Sequence, residues 1–154
     1  MEESELLGEL QKICFASFLF HLRATSELYL PAYKGSTLRG AFGIVFKETV
    51  CIVDHGECAR CLLKSKYAYP YVFDTPVPDG SARMRKYERA PHPFVIDPPL
   101  ETRRFYGVAD LLSLGLTLIG RAIEYLSYFI YAFEQMGTNR GIGKGRRFGK
   151  ADLA

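Results

Sequence analysis

No acidic residue interrupts GTNRGIGKGRRFGK, residues 137–150, which holds five glycines and five cations in fourteen positions. That imbalance leaves three readings: a disordered basic tail, a nucleotide-cradling loop, or a surface for a polyanion. The nucleotide readings lack their defining features. A P-loop needs G-K-[ST], but Lys144 is followed by Gly145, and a Rossmann loop must lie between the first strand and its helix. The amino terminus lacks a basic segment followed by an apolar run; Glu2, Glu3, Glu5 and Glu9 crowd it instead, which argues against a secretory leader and for a cytoplasmic protein. No long apolar run is free of charge, because Arg121 and Glu124 break the stretch 111–133, so a membrane partner is not expected. Internal repeats and low-complexity linkers are also missing. Cysteine is scarce: Cys14, Cys51, Cys58 and Cys61 read as thiols or metal ligands rather than disulfides.

What is present describes one folded domain over residues 1–154. An apolar content of 48% against 24% charged residues excludes wholesale disorder. The net charge of +3 understates the basicity of the rest of the chain, because the acidic start offsets it, and a polarised charge distribution favours a polyanionic partner. Residues 12–24 alternate like a strand, and His21 within it reads as a strand-face histidine making one hydrogen bond. Leu38, Phe42, Val45 and Phe46 recur at helical spacing, with Ser36 or Thr37 as a cap. Gly40 and Gly43 inside that helix imply a close approach by another group. Residues 51–66 read as a cysteine-containing loop insertion, 67–75 and 93–99 as short strands, 81–93 as a basic exposed segment, and 108–120 as a longer strand. Ile123, Leu126, Ile130 and Phe133 line a second helix over 121–136, with Gly137 as its stop. KADLA begins a last strand. The order βαββαβ predicts an α+β, ferredoxin-like (RRM-like) domain with an antiparallel sheet and two helices on one face. The chain also fits the amino-terminal part of a longer two-domain protein.

Chemistry then has a short list of carriers. Cys58-x-x-Cys61, with Cys51 seven residues earlier, supplies three of the four ligands a structural zinc needs; His55 is a candidate fourth, and a metal-free loop of reduced thiols is the alternative. Arg140, Lys144, Arg146, Arg147 and Lys150, with the backbone N–H groups of Gly141, Gly143 and Gly145, suit a phosphate backbone. Lys34 and Arg39 add cations near the first helix. Cleaving RNA without a metal needs a base for the 2′-hydroxyl, an acid for the leaving oxygen and cations at the phosphate. Tyr33 and His55 are the proton-transfer candidates and Lys47 the phosphate stabiliser; His92, between two prolines, reads as structural.

LPAYKGSTLRGAFG, the C-x6-C-x-x-C after it, YPYVFDTP, APHPFVIDPP and GIGKGRRFGK together resemble the CRISPR precursor-RNA processing endoribonucleases of the RAMP superfamily. The resemblance runs in order from about residue 28 to 150. It implies an RRM-like fold whose glycine-rich loop contacts RNA, and metal-independent cutting of a CRISPR repeat that leaves a 2′,3′-cyclic phosphate. No cofactor is then required for catalysis. Tyr67 stands where the related pattern has a fourth cysteine, and 36–50 contains no histidine where the family's catalytic one commonly lies. Two alternatives follow: a non-catalytic RAMP subunit holding guide RNA beside other CRISPR effector-complex subunits, or a small zinc-stabilised interaction domain.

Overall fold

The computed structural model describes residues 8, 11–51, 68–75, 77, 89–144 and 147–154, with backbone only for 144, 147 and 148. Strand β1, Phe15–Ala24, leads through a two-residue strand β2, Leu28–Tyr29, into helix α1, Gly35–Val50. A short helix α2, Ala68–Phe73, precedes strands β3, Phe94–Asp97, β4, Phe105–Tyr106, and β5, Leu111–Ile119. A 3₁₀ segment, Gly120–Tyr125, runs into helix α3, Leu126–Gln135, and a π-type turn, Met136–Arg140. Strands β6, Ile142–Lys144, β7, Arg147–Gly149, and β8, Ala151–Leu153, follow.

Strands β3, β5, β1 and β8 form a four-stranded antiparallel sheet in that order. Numbered along the main βαββαβ path, this is 2-3-1-4, the ferredoxin-like arrangement, with β2, β4, α2 and the β6–β7 hairpin added to it. The protein is therefore α+β, as the alternation of patterns in the sequence predicts.

Side chains on a strand alternate between faces, and here the alternation decides what is buried. Phe20, Leu22 and Ala24 of β1 and Leu112, Leu114, Leu116 and Leu118 of β5 point inward; Phe15, Leu19, Leu111 and Ile119 remain exposed on the other face. Both helices cover the inward face. Phe20 meets Phe133 of α3 at 4.8 Å between ring centroids, and Phe94 meets Phe42 of α1 at 5.9 Å. Phe42 also stacks on Phe129 and Phe133 at 5.2 and 4.7 Å, so one ring ties α1, α3 and β3 together. On the open face, Ser17 and Thr117 share a 2.9 Å hydrogen bond and His21 Nδ1 lies 2.8 Å from Ser113 Oγ, the single bond expected of that histidine.

Three local expectations need correction. Residues 68–73 are helical, not extended. Pro70 falls in the first turn, where its missing N–H is tolerated, and burial of Ala68, Pro70 and Val72 overrides the strand preference of the aromatics. Helix α1 starts at Gly35, so Ser36 and Thr37 lie inside it rather than capping it. The last helix does not stop at Gly137. Its backbone continues to Arg140, and Gly141, with φ 84°, ends it in the left-handed region where glycine is favoured. Gly137 has another use: a Cβ there would collide with the Ala151 carbonyl oxygen, so its absence lets β8 pass close by. The 3₁₀ start also turns the buried stripe to Ala122, Phe129, Phe133 and Met136, leaving Ile130 partly exposed.

Candidate nucleic-acid interface

The outward stripe of α1 forms one wall of an open cleft of about 820 Å³. Ser36, Gly40, Gly43 and Lys47 recur at three- and four-residue spacing and so share a face, with Arg39 alongside. Tyr69 and Phe73 of α2 form the opposite wall. They are four residues apart, the helical spacing that puts both rings on one side, and stack at 5.1 Å. Gly43 permits this contact, because Phe73 lies 3.3 Å from where its Cβ would be. A close approach thus explains one of the two helical glycines; Gly40 leaves the cleft floor open.

Cations and rings interleave here. The Arg39 guanidinium sits 4.7 Å from the Phe94 ring centroid and 5.9 Å from that of Phe73. Lys47 Nζ lies 5.7 Å from the Tyr69 ring. His92 enters from the segment before β3, its ring 6.0 Å from Phe73 and 6.1 Å from Phe94. Its Nδ1 is 3.1 Å from the Val72 carbonyl oxygen, which can only accept, so Nδ1 carries the proton and donates. Glu48 is the acid on the rim, with Arg140 Nη1 3.7 Å from its Oε1.

A family model for the AF_1859_N N-terminal domain matches residues 11–153. The chain belongs to the AF_1859_N family. No curated protein matches it.

In this AF_1859_N chain, the residues singled out from sequence divide sharply. Tyr33 is exposed and its ring lies over Gly35, at the start of α1. Lys47 lies near the other end, roughly 18 Å along the helix axis from Gly35 at 1.5 Å per residue. The fold therefore does not bring Tyr33 and Lys47 to one phosphate. His55, Cys58 and Cys61 lie outside the described residues, while Cys51 sits half-buried at the carboxyl cap of α1. Among the described residues no group of three or more metal-ligating side chains occurs, and no helix is long and apolar enough to cross a membrane.

Lys34 is fully buried. Its Nζ donates to the Glu101 carbonyl at 2.7 Å and the Ala32 carbonyl at 3.3 Å, and lies 5.8 Å from the Tyr106 ring. Burial pushes this ammonium below the ordinary lysine range, with Glu101 opposing. Its charge thus serves the fold rather than the surface. Beside it the Tyr106 hydroxyl donates to Glu101 Oε1 at 2.6 Å, and burial and that bond hold the phenol well above its ordinary pKa.

The glycine-rich segment is a β-hairpin, with Ile142 opposite Gly149 and Lys144 opposite Arg147. It lies between α3 and β8, as its place in the sequence predicts, and packs against β2 and α1. One of its glycines serves that packing and another closes the preceding helix. A Cβ on Gly149 would collide with the Glu27 carbonyl oxygen, and the Gly141 N–H donates to the Met136 carbonyl at 2.9 Å. Gly143 lies within β6, opposite Phe148. Lys150 Nζ donates to the Asn139 carbonyl. Gly145, Arg146 and the side chains of Lys144 and Arg147 lie outside what is described.

Sequence reasoning missed Tyr69, Phe73 and His92 as site residues. The segment is too short to declare itself helical, and only once it is a helix does AYPYVF put Tyr69 and Phe73 on one face.

Proposed function

We propose that the chain binds RNA and is a RAMP-type processing endoribonuclease acting on CRISPR repeat RNA. The observation that carries the reading is the α1 cleft, where Arg39 and Lys47 alternate with the rings of Tyr69 and Phe73. Single-stranded nucleic acid is held in this way: cations track the phosphates, and aromatic faces stack bases without regard to sequence. The ferredoxin-like sheet order and the motif series from residue 28 to 150 support the RAMP assignment. The glycine-rich hairpin packs on the same helix α1.

Labelled repeat RNA incubated with the protein in EDTA is expected to give one specific cut, ending in a 2′,3′-cyclic phosphate. Absence of salt-dependent binding would sink the RNA reading altogether. Binding without cleavage would support the second reading, a non-catalytic subunit that holds guide RNA in an effector complex. The separation of Tyr33 from Lys47 along α1 favours that alternative, because those two cannot share one reacting phosphate.

A further inference from the structure

His92 is held from three directions. Ala90 N–H donates to the Thr75 carbonyl at 2.9 Å on one side, and Ile119 N–H donates to the Pro93 carbonyl at 2.9 Å on the other. The residue before a proline is biased toward extended backbone, which narrows the direction of its Cα–Cβ bond. The Nδ1–H···O bond to Val72 then fixes the ring itself. Nδ1 is the protonated nitrogen, so Nε2 is the one nitrogen of the neutral ring able to take up a proton.

Its surroundings suit proton transfer at a phosphodiester. His92 and Arg39 flank the same two rings, Phe73 and Phe94, and both line the cleft with Lys47. Imidazole is the side chain most often used as a general base. A side chain pinned through its second nitrogen also meets the positional demand on a base.

We propose that His92 is the general base of this cleft and acts on the 2′-hydroxyl of the bound RNA, an inference that rests on the RNA-processing reading above. Neutral His92 accepts the 2′-hydroxyl proton at Nε2 as the 2′-oxygen bonds to phosphorus. The bond from phosphorus to the 5′-oxygen breaks, and that oxygen takes a proton from water; the hydroxide so formed takes up the proton held at Nε2, which restores the neutral ring. The products are a 2′,3′-cyclic phosphate and a 5′-hydroxyl, with no oxidant, reductant or metal consumed. Arg39 and Lys47 offset the charge that builds on the phosphate oxygens.

Single-turnover cleavage of repeat RNA in EDTA by wild type, His92→Ala and His92→Asn tests this. The asparagine amide can keep the hydrogen bond to the Val72 carbonyl but has no basic nitrogen, so it separates the proton-transfer role from the packing role. Both variants are expected to cut about 10²–10⁴-fold more slowly while still binding RNA. Added imidazole should restore part of the activity of His92→Ala. Wild-type cleavage with either folded variant cutting at the wild-type rate overturns the role of His92 and leaves the endoribonuclease reading standing. Loss of RNA binding in His92→Asn in step with cleavage overturns it too, since that marks a structural residue. No cleavage by the wild type overturns both proposals.

Discussion

Lys34 and Arg39 lie five residues apart, and the fold gives them opposite work. Lys34 turns inward and spends its ammonium on two carbonyls, whereas Arg39 lines the cleft over two phenylalanine rings. Arg39→Ala and Lys47→Ala should each weaken RNA binding and reduce the slope of log affinity against log salt by about 0.7, the single-strand value per phosphate neutralised. Lys34→Ala should lower the melting temperature and leave that slope unchanged; titrations at several salt concentrations separate the two classes. Tyr106 sets a pH limit. The unfolded chain releases this phenol proton near pH 10, while the folded chain retains it, so above that pH the folded state binds more protons and stability falls as pH rises. Lys34 contributes with the opposite sign below the ordinary lysine pKa, because its proton is held less tightly in the fold. Tyr106→Phe should therefore flatten the alkaline loss expected in melts between pH 9 and 11, even though the missing bond to Glu101 costs about 1 kcal/mol at neutral pH. The fate of Lys34 was illegible in the sequence because its acceptor, the Glu101 carbonyl, is 67 residues away.

Among the elements, those whose pattern is strong were legible and those decided by tertiary contact were not. Helix α1 shows its buried face in Leu38, Phe42, Val45 and Phe46, and β5 shows strict alternation, so both are readable from local spacing. Helix α2 has six residues, too few for a periodic signal, and its aromatics favour the strand reading until Pro70 and Val72 are buried. That one error hid the cleft wall made by Tyr69 and Phe73. The hairpin was legible as a glycine-rich, basic segment, but the use of its glycines was not, because the carbonyl that Gly149 accommodates belongs to Glu27. Gly149→Ala should cost about 1–3 kcal/mol, as overpacking does, and a urea melt would show it. If the variant melts like wild type, the hairpin does not press on β2 as described.

For the molecule as a whole, the aromatic cluster around Phe42 joins both helices to the sheet. Phe42→Ala should remove about 3–5 kcal/mol, a large share of the roughly 5–15 kcal/mol that keeps a domain folded; chemical denaturation would report it as a lower midpoint. The sheet order has a consequence for folding kinetics. Strand β1 is central, and its two neighbours arrive late: Leu22 pairs with Leu112 and then with Leu153. A chain growing from its amino terminus presents Phe18, Phe20 and Leu22 long before either partner strand is made. Closing such long loops is slow, and unpaired apolar strands invite association with other chains. Helix α1 closes its backbone hydrogen bonds locally and can form in that interval, but its inner rings meet Phe94, Phe129 and Phe133, which are made late as well. Refolding should then be limited by the arrival of β5 and β8 at β1, with helix formation preceding it.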